Sequence, residues 1–240
     1  MVKFELEGHE YKTPDGWHEV KFSKFLQFLE EIQPLCPKAL LKAYESENIE
    51  LYWGAMSNRN KARCYQYFAK AVGFWVGLPY EIIQKDLSIE QLEAAYWAIE
   101  VDLSLENSQI NEDFTGFTLG NKEYLLPQRH MVGSTVLEFT ESAHFEQQME
   151  DVKNGKWLAL LDIMAVLCRP KGEVYNYEKG HHEMRKNIFK NVTMDIVLNV
   201  SFFLFRLNEA LNKDLMIYSL LMLHRRNSQK QYQKNMDGVL

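Results

Sequence analysis

A short stretch near the start of the chain returns in altered form near its middle, and this repetition limits the possible folds more than any other feature. Residues 4–14 read FELEGHEYKTP and residues 117–127 read FTLGNKEYLLP, with Phe, Leu, Glu, Tyr and Pro at the same spacing. Downstream, 20–28 aligns with 131–139 once two residues near Gly16 are dropped. A length change of that size fits a loop whose flanking strands keep their register. The sequence therefore predicts one structural unit used twice.

The chain has 240 residues, which allows one large domain or two smaller ones, and the repeat favours two related halves. Each half is expected to be a β-hairpin followed by a small helix bundle. The predicted fold class is therefore α+β, mainly helical, with an extra C-terminal helix. The predicted divisions are a first unit at 1–103, an acidic linker at 104–114, a second unit at 115–211, and a C-terminal helix with a basic tail at 212–240.

Alternation of apolar and polar residues predicts the strands. In the first half it covers 2–6, 10–12 and 17–22, which indicates a hairpin or a small meander. In the second half it covers 115–119 and 122–126.

Apolar residues three and four positions apart predict the helices. Ser23 stands at the expected N-cap of a helix that ends before Pro34. Two capping boxes are predicted, Ser88 with Gln91 and Thr135 with Glu138. Other predicted helices cover 39–47, 60–76, 156–168, 196–207 and 213–235.

Composition excludes some classes of protein. A net charge of −6 argues against a protein whose whole surface binds nucleic acid, although a local basic patch remains compatible with it. The three cysteines show no close pairing, which predicts free buried thiols in a reducing compartment. The longest apolar stretches, 158–168 and 215–223, are shorter than the ~20 residues that span a bilayer. We therefore expect a soluble protein without membrane contact.

The ionisable residues form no recognisable catalytic or metal-binding motif. His181, His182 and Glu183 are adjacent, so their side chains point in different directions, and we interpret them as a solvated helix start. We expect no metal, no cofactor, no small-molecule substrate and no enzymatic activity. One alternative stays open, in which dispersed residues such as Asp162 and the histidines assemble an active site.

Asp162 is the most informative single charge, because five apolar residues flank it on each side. An unpaired buried charge costs several kcal/mol, so a partner is expected. The first interpretation places Asp162 at the edge of an apolar helix face or in a pair with an arginine, for which Arg206 is the expected partner. The second is an ion pair between subunits.

The C-terminal segment collects positive charges in an otherwise acidic chain. The tail at 224–234 contains four cations, Arg225, Arg226, Lys230 and Lys234. Basic residues are favourable at a helix C-terminus, which is the simpler interpretation. The alternative is an arm that contacts an acidic partner or a nucleic-acid backbone.

Two segments carry a family resemblance. They are NKEYLLP at 121–127 and the run from Lys156-Trp157-Leu158 to Arg169-Pro170-Lys171. In these segments the chain resembles small structural proteins of crAss-like tailed bacteriophages and, more weakly, phage tail-assembly-chaperone-type proteins. The resemblance implies a role in the virion, as a tail ring or connector subunit or as a packaged cargo protein, after assembly in the host bacterial cytoplasm. It carries no catalytic residue onto this chain.

These observations favour a non-enzymatic virion structural protein that forms homo-oligomers and contacts other virion proteins. Aromatic and Met side chains, which anchor interfaces, are frequent. The candidate interface residues are Phe4, Tyr11, Tyr124, Trp157, Asp162, Arg206, Arg225, Arg226, Lys230 and Lys234. The alternative function is a phage tail-assembly chaperone or a regulatory protein-binding module.

Overall fold

The computed structural model describes residues 1–6, 8–127, 134, 136–148, 154–174 and 178–207. The described chain is mainly helical with small antiparallel strands, as predicted. The strands are β1 (Lys3–Leu6), β2 (His9–Lys12), β3 (Gly116–Leu119), β4 (Lys122–Leu125) and β5 (Arg169–Pro170). The helices are α1 (Phe22–Glu31), α2 (Lys38–Tyr44), α3 (Ile49–Ala55), α4 (Asn58–Val76), α5 (Tyr80–Asp86), α6 (Ile89–Asp102), α7 (Val136–Gln148), α8 (Gly155–Leu167), α9 (Lys179–Phe189) and α10 (194–207).

The two hairpins predicted from the repeated stretch are present and have matching register. Phe4 lies opposite Tyr11 in the first, and Phe117 lies opposite Tyr124 in the second. In each hairpin the two rings stack, with centroids 6.1 Å apart in the first and 5.3 Å apart in the second. The spacing conserved between the two stretches therefore corresponds to a cross-strand aromatic pair that holds each hairpin together.

Differences between the halves begin after the hairpins. β4 also pairs with β5, which makes a three-stranded sheet, whereas β1 and β2 form a two-stranded sheet. In the first half, five helices follow α1 before the second hairpin begins. In the described part of the second half, α8, β5, α9 and α10 follow α7.

The predicted strand at 17–22 is wrong, and so is Ser23 as an N-cap. Trp17–Glu19 form a 3-10 turn, and α1 begins at Phe22 with Lys21 as its N-cap. The main-chain N–H groups of Phe22 and Ser23 donate instead to carbonyls of the distant loop at 190–192, at 2.8 and 2.9 Å. A serine cap is unnecessary because that loop already accepts these hydrogen bonds.

Two other helix boundaries follow the local signals in the sequence. Ser88 and Gln91 form the predicted capping box, with hydrogen bonds of 3.2 and 3.0 Å between each side chain and the other residue's main-chain N–H. α4 ends at Val76, as predicted, and its C-cap Gly77 adopts the left-handed conformation (φ 80°) that favours glycine. The short helices α3 and α5 and strand β5 were not predicted.

The two halves share one hydrophobic core. Trp157 at the start of α8 packs edge-to-face against Phe25 of α1, with ring centroids 4.9 Å apart. Nearby, the Asn154 side chain donates a hydrogen bond to the Leu29 carbonyl at 3.1 Å. The buried apolar residues of both halves form one continuous cluster. The hairpin regions are therefore joined by direct packing as well as by the chain between them.

An aromatic cluster fills the core of the first half. Phe68 of α4 is buried and stacks on Tyr96 of α6 at 3.8 Å, while Trp53 of α3 stacks on Phe68 at 5.6 Å. Such pairs contribute roughly 0.5–1.5 kcal/mol each beyond area burial. The ring contacts fix α3 and α6 against α4.

In the second half, the predicted helix at 156–168 corresponds to α8 (Gly155–Leu167), and the predicted helix at 196–207 lies within α10 (194–207). The described part of α7 covers Val136–Gln148. The predicted cap at Thr135 and the predicted helix at 213–235 lie outside the described residues.

We expect Gly73→Ala to destabilise the protein. A Cβ at this position in α4 would lie 2.7 Å from the main-chain oxygen of Leu78, which belongs to the backbone and has little freedom to move. Replacing glycine with alanine in a helix normally gains up to about 1 kcal/mol. Here the steric conflict should lower the free energy of unfolding by about 1–3 kcal/mol, measured by urea denaturation.

Gly54→Ala in α3 is the matched control, because a Cβ there meets no atom within 4 Å. It should leave stability unchanged or raise it by up to about 1 kcal/mol. Equal stabilisation by both substitutions would contradict the close approach of Leu78 to α4.

Candidate functional site

The first candidate site is an ionic cluster between α8 and α9. Asp162 is only 4% exposed, and its Oδ1 lies 2.9 Å from His182 Nε2 and 2.7 Å from Lys186 Nζ. His182 and Lys186 are four residues apart on α9, so they face the same side of the helix. Asp162 is thus buried and paired, as the sequence indicated, but its partners come from α9.

Arg206 was predicted as the partner of Asp162, and this prediction is wrong. Arg206 is exposed on α10 and contacts Glu112, with an N–O distance of 3.5 Å to the carboxylate and 3.3 Å to the main-chain oxygen. Asp162 pairs within its own chain, with Lys186 and His182 of the neighbouring helix α9. Its environment therefore supplies no support for a pair between subunits.

The two adjacent histidines are less solvated than predicted. They do lie at the start of a helix, α9, but both are half-buried. The His182 ring stacks on Phe145 of α7, with centroids 5.1 Å apart. His181 Nε2 lies 3.5 Å from a carboxylate oxygen of Glu173. Each histidine therefore faces a different acid, as expected for adjacent residues.

Further ion pairs surround this cluster. Arg185 is buried on α9, forms a salt bridge with Glu173 and donates to the Ala165 carbonyl at 3.2 Å. Glu138 of α7 is fully buried, with its Oε1 3.0 Å from Arg169 Nη1. Charged side chains thus join α7, α8 and α9, and the strand β5, in the interior of the second half.

The pKa of Asp162 reflects opposing influences. Burial raises the pKa, but the hydrogen bonds from His182 and Lys186 and their positive charge outweigh it. The pKa of Asp162 is therefore held below its ordinary value of 3.8. Asp162 is a carboxylate at neutral pH and acts as the centre of an ionic cross-link between two helices.

A histidine hydrogen-bonded to an aspartate is also the orienting pair of nucleophilic enzymes. Among the described residues, however, the side chain of His182 forms no hydrogen bond with a serine, threonine or cysteine. In the described part of the chain, the pair is arranged as a structural contact.

A second polar cluster, which the sequence reading missed, lies in the first half. The hydroxyl groups of Tyr44 and Tyr96 are 2.6 Å apart, and both hydrogen-bond to Glu100. Burial raises the pKa of Glu100 and outweighs these hydrogen bonds. The sequence signal that could have revealed this cluster is the spacing of Tyr96 and Glu100, which lie one helical turn apart on α6.

A groove of about 530 Å³ lies between α2 and α4. Its lining residues are Leu35, Pro37, Lys38, Ala39, Lys42, Tyr52, Asn60, Arg63, Gln66, Tyr67 and Lys70. Four of them are cations and none is an acid. Within the residues that the structure describes, none of the four cations forms an ion pair. The sequence reading did not identify this groove, because its cations come from two separate helices.

Asp15, His18 and Glu19 bring three ligand-type atoms within 4.8 Å of one another near the first hairpin. All three residues are exposed, and Glu19 already forms a salt bridge with Lys12 at 2.5 Å. Exposed clusters of this kind are common on protein surfaces. The existing ion pairs account for the arrangement.

Several predicted interface residues are used inside the fold. Phe4 and Tyr124 are buried, while Tyr11 and Trp157 are half-buried and pack against the core. Their role in contacts with other molecules stays a prediction. The predicted contacts Arg225, Arg226, Lys230 and Lys234 lie outside the described residues.

The three cysteines are free, as predicted. Cys64 and Cys168 are buried, and Cys36 is half-buried. Burial raises the pKa of Cys36 to about 11 and that of Cys168 to about 12. These two thiols therefore stay protonated and unreactive at neutral pH.

Comparisons with protein-family models, with curated proteins and with solved structures find no match to this chain. No helix in the described part of the chain is long and apolar enough to cross a bilayer. Function is therefore inferred from the residues themselves.

We expect Asp162→Asn to lower the free energy of unfolding by about 2 kcal/mol, because it leaves the half-buried ammonium group of Lys186 without its counter-charge. Denaturation in urea at neutral pH measures this change. Glu112→Gln is the matched control, since it removes the acid of the exposed pair with Arg206 and should cost less than about 0.5 kcal/mol. If both substitutions lowered the free energy of unfolding equally, the buried contacts of Asp162 would contribute no more to stability than the exposed ion pair does.

The contribution of Asp162 should also depend on pH. Because its folded-state pKa is lowered, the stabilisation is present above the unfolded value of 3.8 and is lost as the pH falls through the lower folded-state pKa. The stability difference between the native protein and Asp162→Asn should therefore be largest near neutral pH. It should shrink as the pH falls below 3.8. A difference that grows on acidification would contradict the assignment.

Proposed function

We propose that this chain is a non-enzymatic structural protein of a tailed bacteriophage particle. It is a subunit of an oligomeric tail or connector ring, or a cargo protein packaged with the genome. It assembles in the host bacterial cytoplasm and functions in the virion, in contact with copies of itself and with other virion proteins.

The observation that carries the proposal is a surface of exposed apolar residues on the α2–α3 side. This surface, here called the α2–α3 surface, is defined by Leu35, Leu41 and Leu51, and Leu51 is 72% exposed. Helices α2 and α3 pack against each other, and each carries one of these exposed leucines, Leu41 on α2 and Leu51 on α3. Exposed apolar side chains grouped in this way favour contact with another protein.

The ionic cluster supports a structural role. Asp162 is engaged by Lys186 and His182, and Glu173 is engaged by Arg185. Groups that neutralise each other in this way hold helices together and are poorly suited to exchange protons with a substrate. The geometry is that of a cross-linked helical scaffold.

The matched hairpins support two tandem related units with the divisions predicted from the sequence. After the first hairpin, the Thr13 N–H donates to the Val2 carbonyl at 2.9 Å. At the corresponding position after the second, the Leu126 N–H donates to the Thr115 carbonyl at 3.0 Å. The correspondence between the hairpins thus extends beyond the strands. In this proposal an ancestral unit was copied end to end.

The virion assignment rests on the sequence resemblance described above. Its two segments fold into strand β4 with the turn before it and into helix α8 with strand β5. β4 and β5 pair with each other, through Tyr124 and Pro170 among other residues. The resembling segments therefore come together in space.

A tail-assembly chaperone is the second candidate function, because a surface with exposed Leu41 and Leu51 also suits a client protein. Location distinguishes the two candidates. A structural subunit or cargo protein is detected in purified particles of the encoding phage by mass spectrometry. A chaperone is found in the infected cell and is absent from the particles.

We expect the purified chain to form a closed oligomer, visible by light scattering and negative-stain microscopy. The double substitution Leu41→Glu and Leu51→Glu should reduce it to monomers, because it places charges on the α2–α3 surface. Circular dichroism should show unchanged helix content, since both side chains are exposed.

Ile89→Glu is the control substitution. Ile89 is also exposed, but it lies in the first turn of α6, where an acidic residue is favourable. It should leave the oligomer intact. A native chain that stays monomeric and is absent from purified particles would contradict the proposal.

A further inference from the structure

The groove between α2 and α4 concentrates positive charge in an acidic protein. The chain has a net charge of −6, yet the groove is lined by Lys38, Lys42, Arg63 and Lys70 without an acid. Lys70 lies over the ring of Tyr80 at 5.4 Å, and none of the four forms an ion pair with a residue that the structure describes. Cations that are grouped without counter-charges repel one another, and a bound anion relieves this repulsion.

The spacing of the cations indicates an extended anion. Lys38 and Lys42 are one turn apart on α2, about 6 Å along its axis. Arg63 and Lys70 are two turns apart on α4, about 10 Å along its axis. The four cations come from two helices and are spread over about 10 Å along α4, so a ligand with several separate negative charges can engage more of them at once than a single phosphate group can. The groove therefore suits a ligand with several negative charges in a row.

The remaining lining residues suit the bases of a nucleic acid. Tyr52 contributes a half-buried aromatic side chain, and Asn60 and Gln66 contribute amide groups that donate and accept hydrogen bonds. Grooves that bind single strands combine cations for the phosphates with aromatic side chains on which bases stack. An acidic peptide also matches the cations and the amides, but it carries no base that stacks on Tyr52.

We infer that this groove binds single-stranded nucleic acid, with the phosphates on Lys38, Lys42, Arg63 and Lys70 and a base against Tyr52. This inference goes beyond the structural role proposed above and does not depend on it. The groove residues lie between 35 and 70 in the sequence, so substitutions in the basic segment at 225–234 test independently where the strand binds.

Binding should weaken steeply with salt, because each phosphate contact releases a counterion. Four contacts to a single strand predict a slope of about −2.8 for the logarithm of the association constant against the logarithm of salt concentration. A fourfold rise in salt should then lower the affinity about 50-fold. Fluorescence anisotropy with a labelled oligothymidylate of about 12 nucleotides measures this slope on the full chain.

The decisive variant combines Lys38→Gln, Lys42→Gln and Arg63→Gln, which are exposed and support no other described contact. It should lower the affinity at least about tenfold and reduce the slope by about 2. Lys70 is left unchanged because of its contact with Tyr80.

Two control variants remove the same number of positive charges. One combines Lys85→Gln, Lys122→Gln and Lys171→Gln at exposed positions away from the groove. The other combines Arg225→Gln, Arg226→Gln and Lys230→Gln. Each control variant should retain the native affinity for the oligonucleotide within about threefold, because the groove cations that contact the phosphates are unchanged.

Competition identifies the ligand class. Unlabelled oligothymidylate should displace the probe, whereas ATP and polyglutamate at equal charge concentration should displace it poorly. The inference is overturned if the native chain does not bind the strand or if the 225–234 variant loses binding as strongly as the groove variant. Equal competition by ATP would point to a free nucleotide, and equal competition by polyglutamate to an acidic protein, and either would overturn the strand assignment.

Discussion

The packing of α1 against the start of α8 and the loop before α10 holds the two halves of the protein together. Trp157 meets Phe25 edge-to-face at 4.9 Å, and the Phe22 N–H donates to the Val192 carbonyl at 2.8 Å. Both contacts join segments that are far apart in sequence. They position the second-half helices, including those that carry the ionic cluster, against the first half, so the separate hairpins belong to one continuous core.

Local features of the fold were predictable where a few neighbouring residues decide them. The Ser88–Gln91 capping box and the helix end at Gly77 need no distant partner, and both were predicted from sequence. Ser23 shows the opposite case. Its hydroxyl is a good N-cap in isolation, but the carbonyl of Lys190 accepts from its main-chain N–H in the folded chain. A distant loop decided this helix start, and local propensity carried no information about it.

In the candidate sites, too, some features follow from the local sequence and others depend on how distant helices pack. Asp162 was expected to be buried and paired, because an apolar helix leaves few other arrangements for a carboxylate. Its partners His182 and Lys186 could not be chosen over Arg206, since the choice depends on which helix packs against α8. The cationic groove was missed for a related reason. Lys38 and the other cations that line it are spread over two helices, and only their packing makes them neighbours.

Helix α2 takes part in both surfaces to which a function is assigned. It spans Lys38–Tyr44 and presents Lys38 and Lys42 to the groove while Leu41 stays exposed. If both proposals hold, the two occupants contact one short helix, and we expect each to affect the binding of the other. Thermodynamic reciprocity then requires the two effects to be equal. If a bound strand changes the affinity of self-association by some factor, self-association changes the affinity for the strand by the same factor. Oligomer size would in this way report whether the groove is filled.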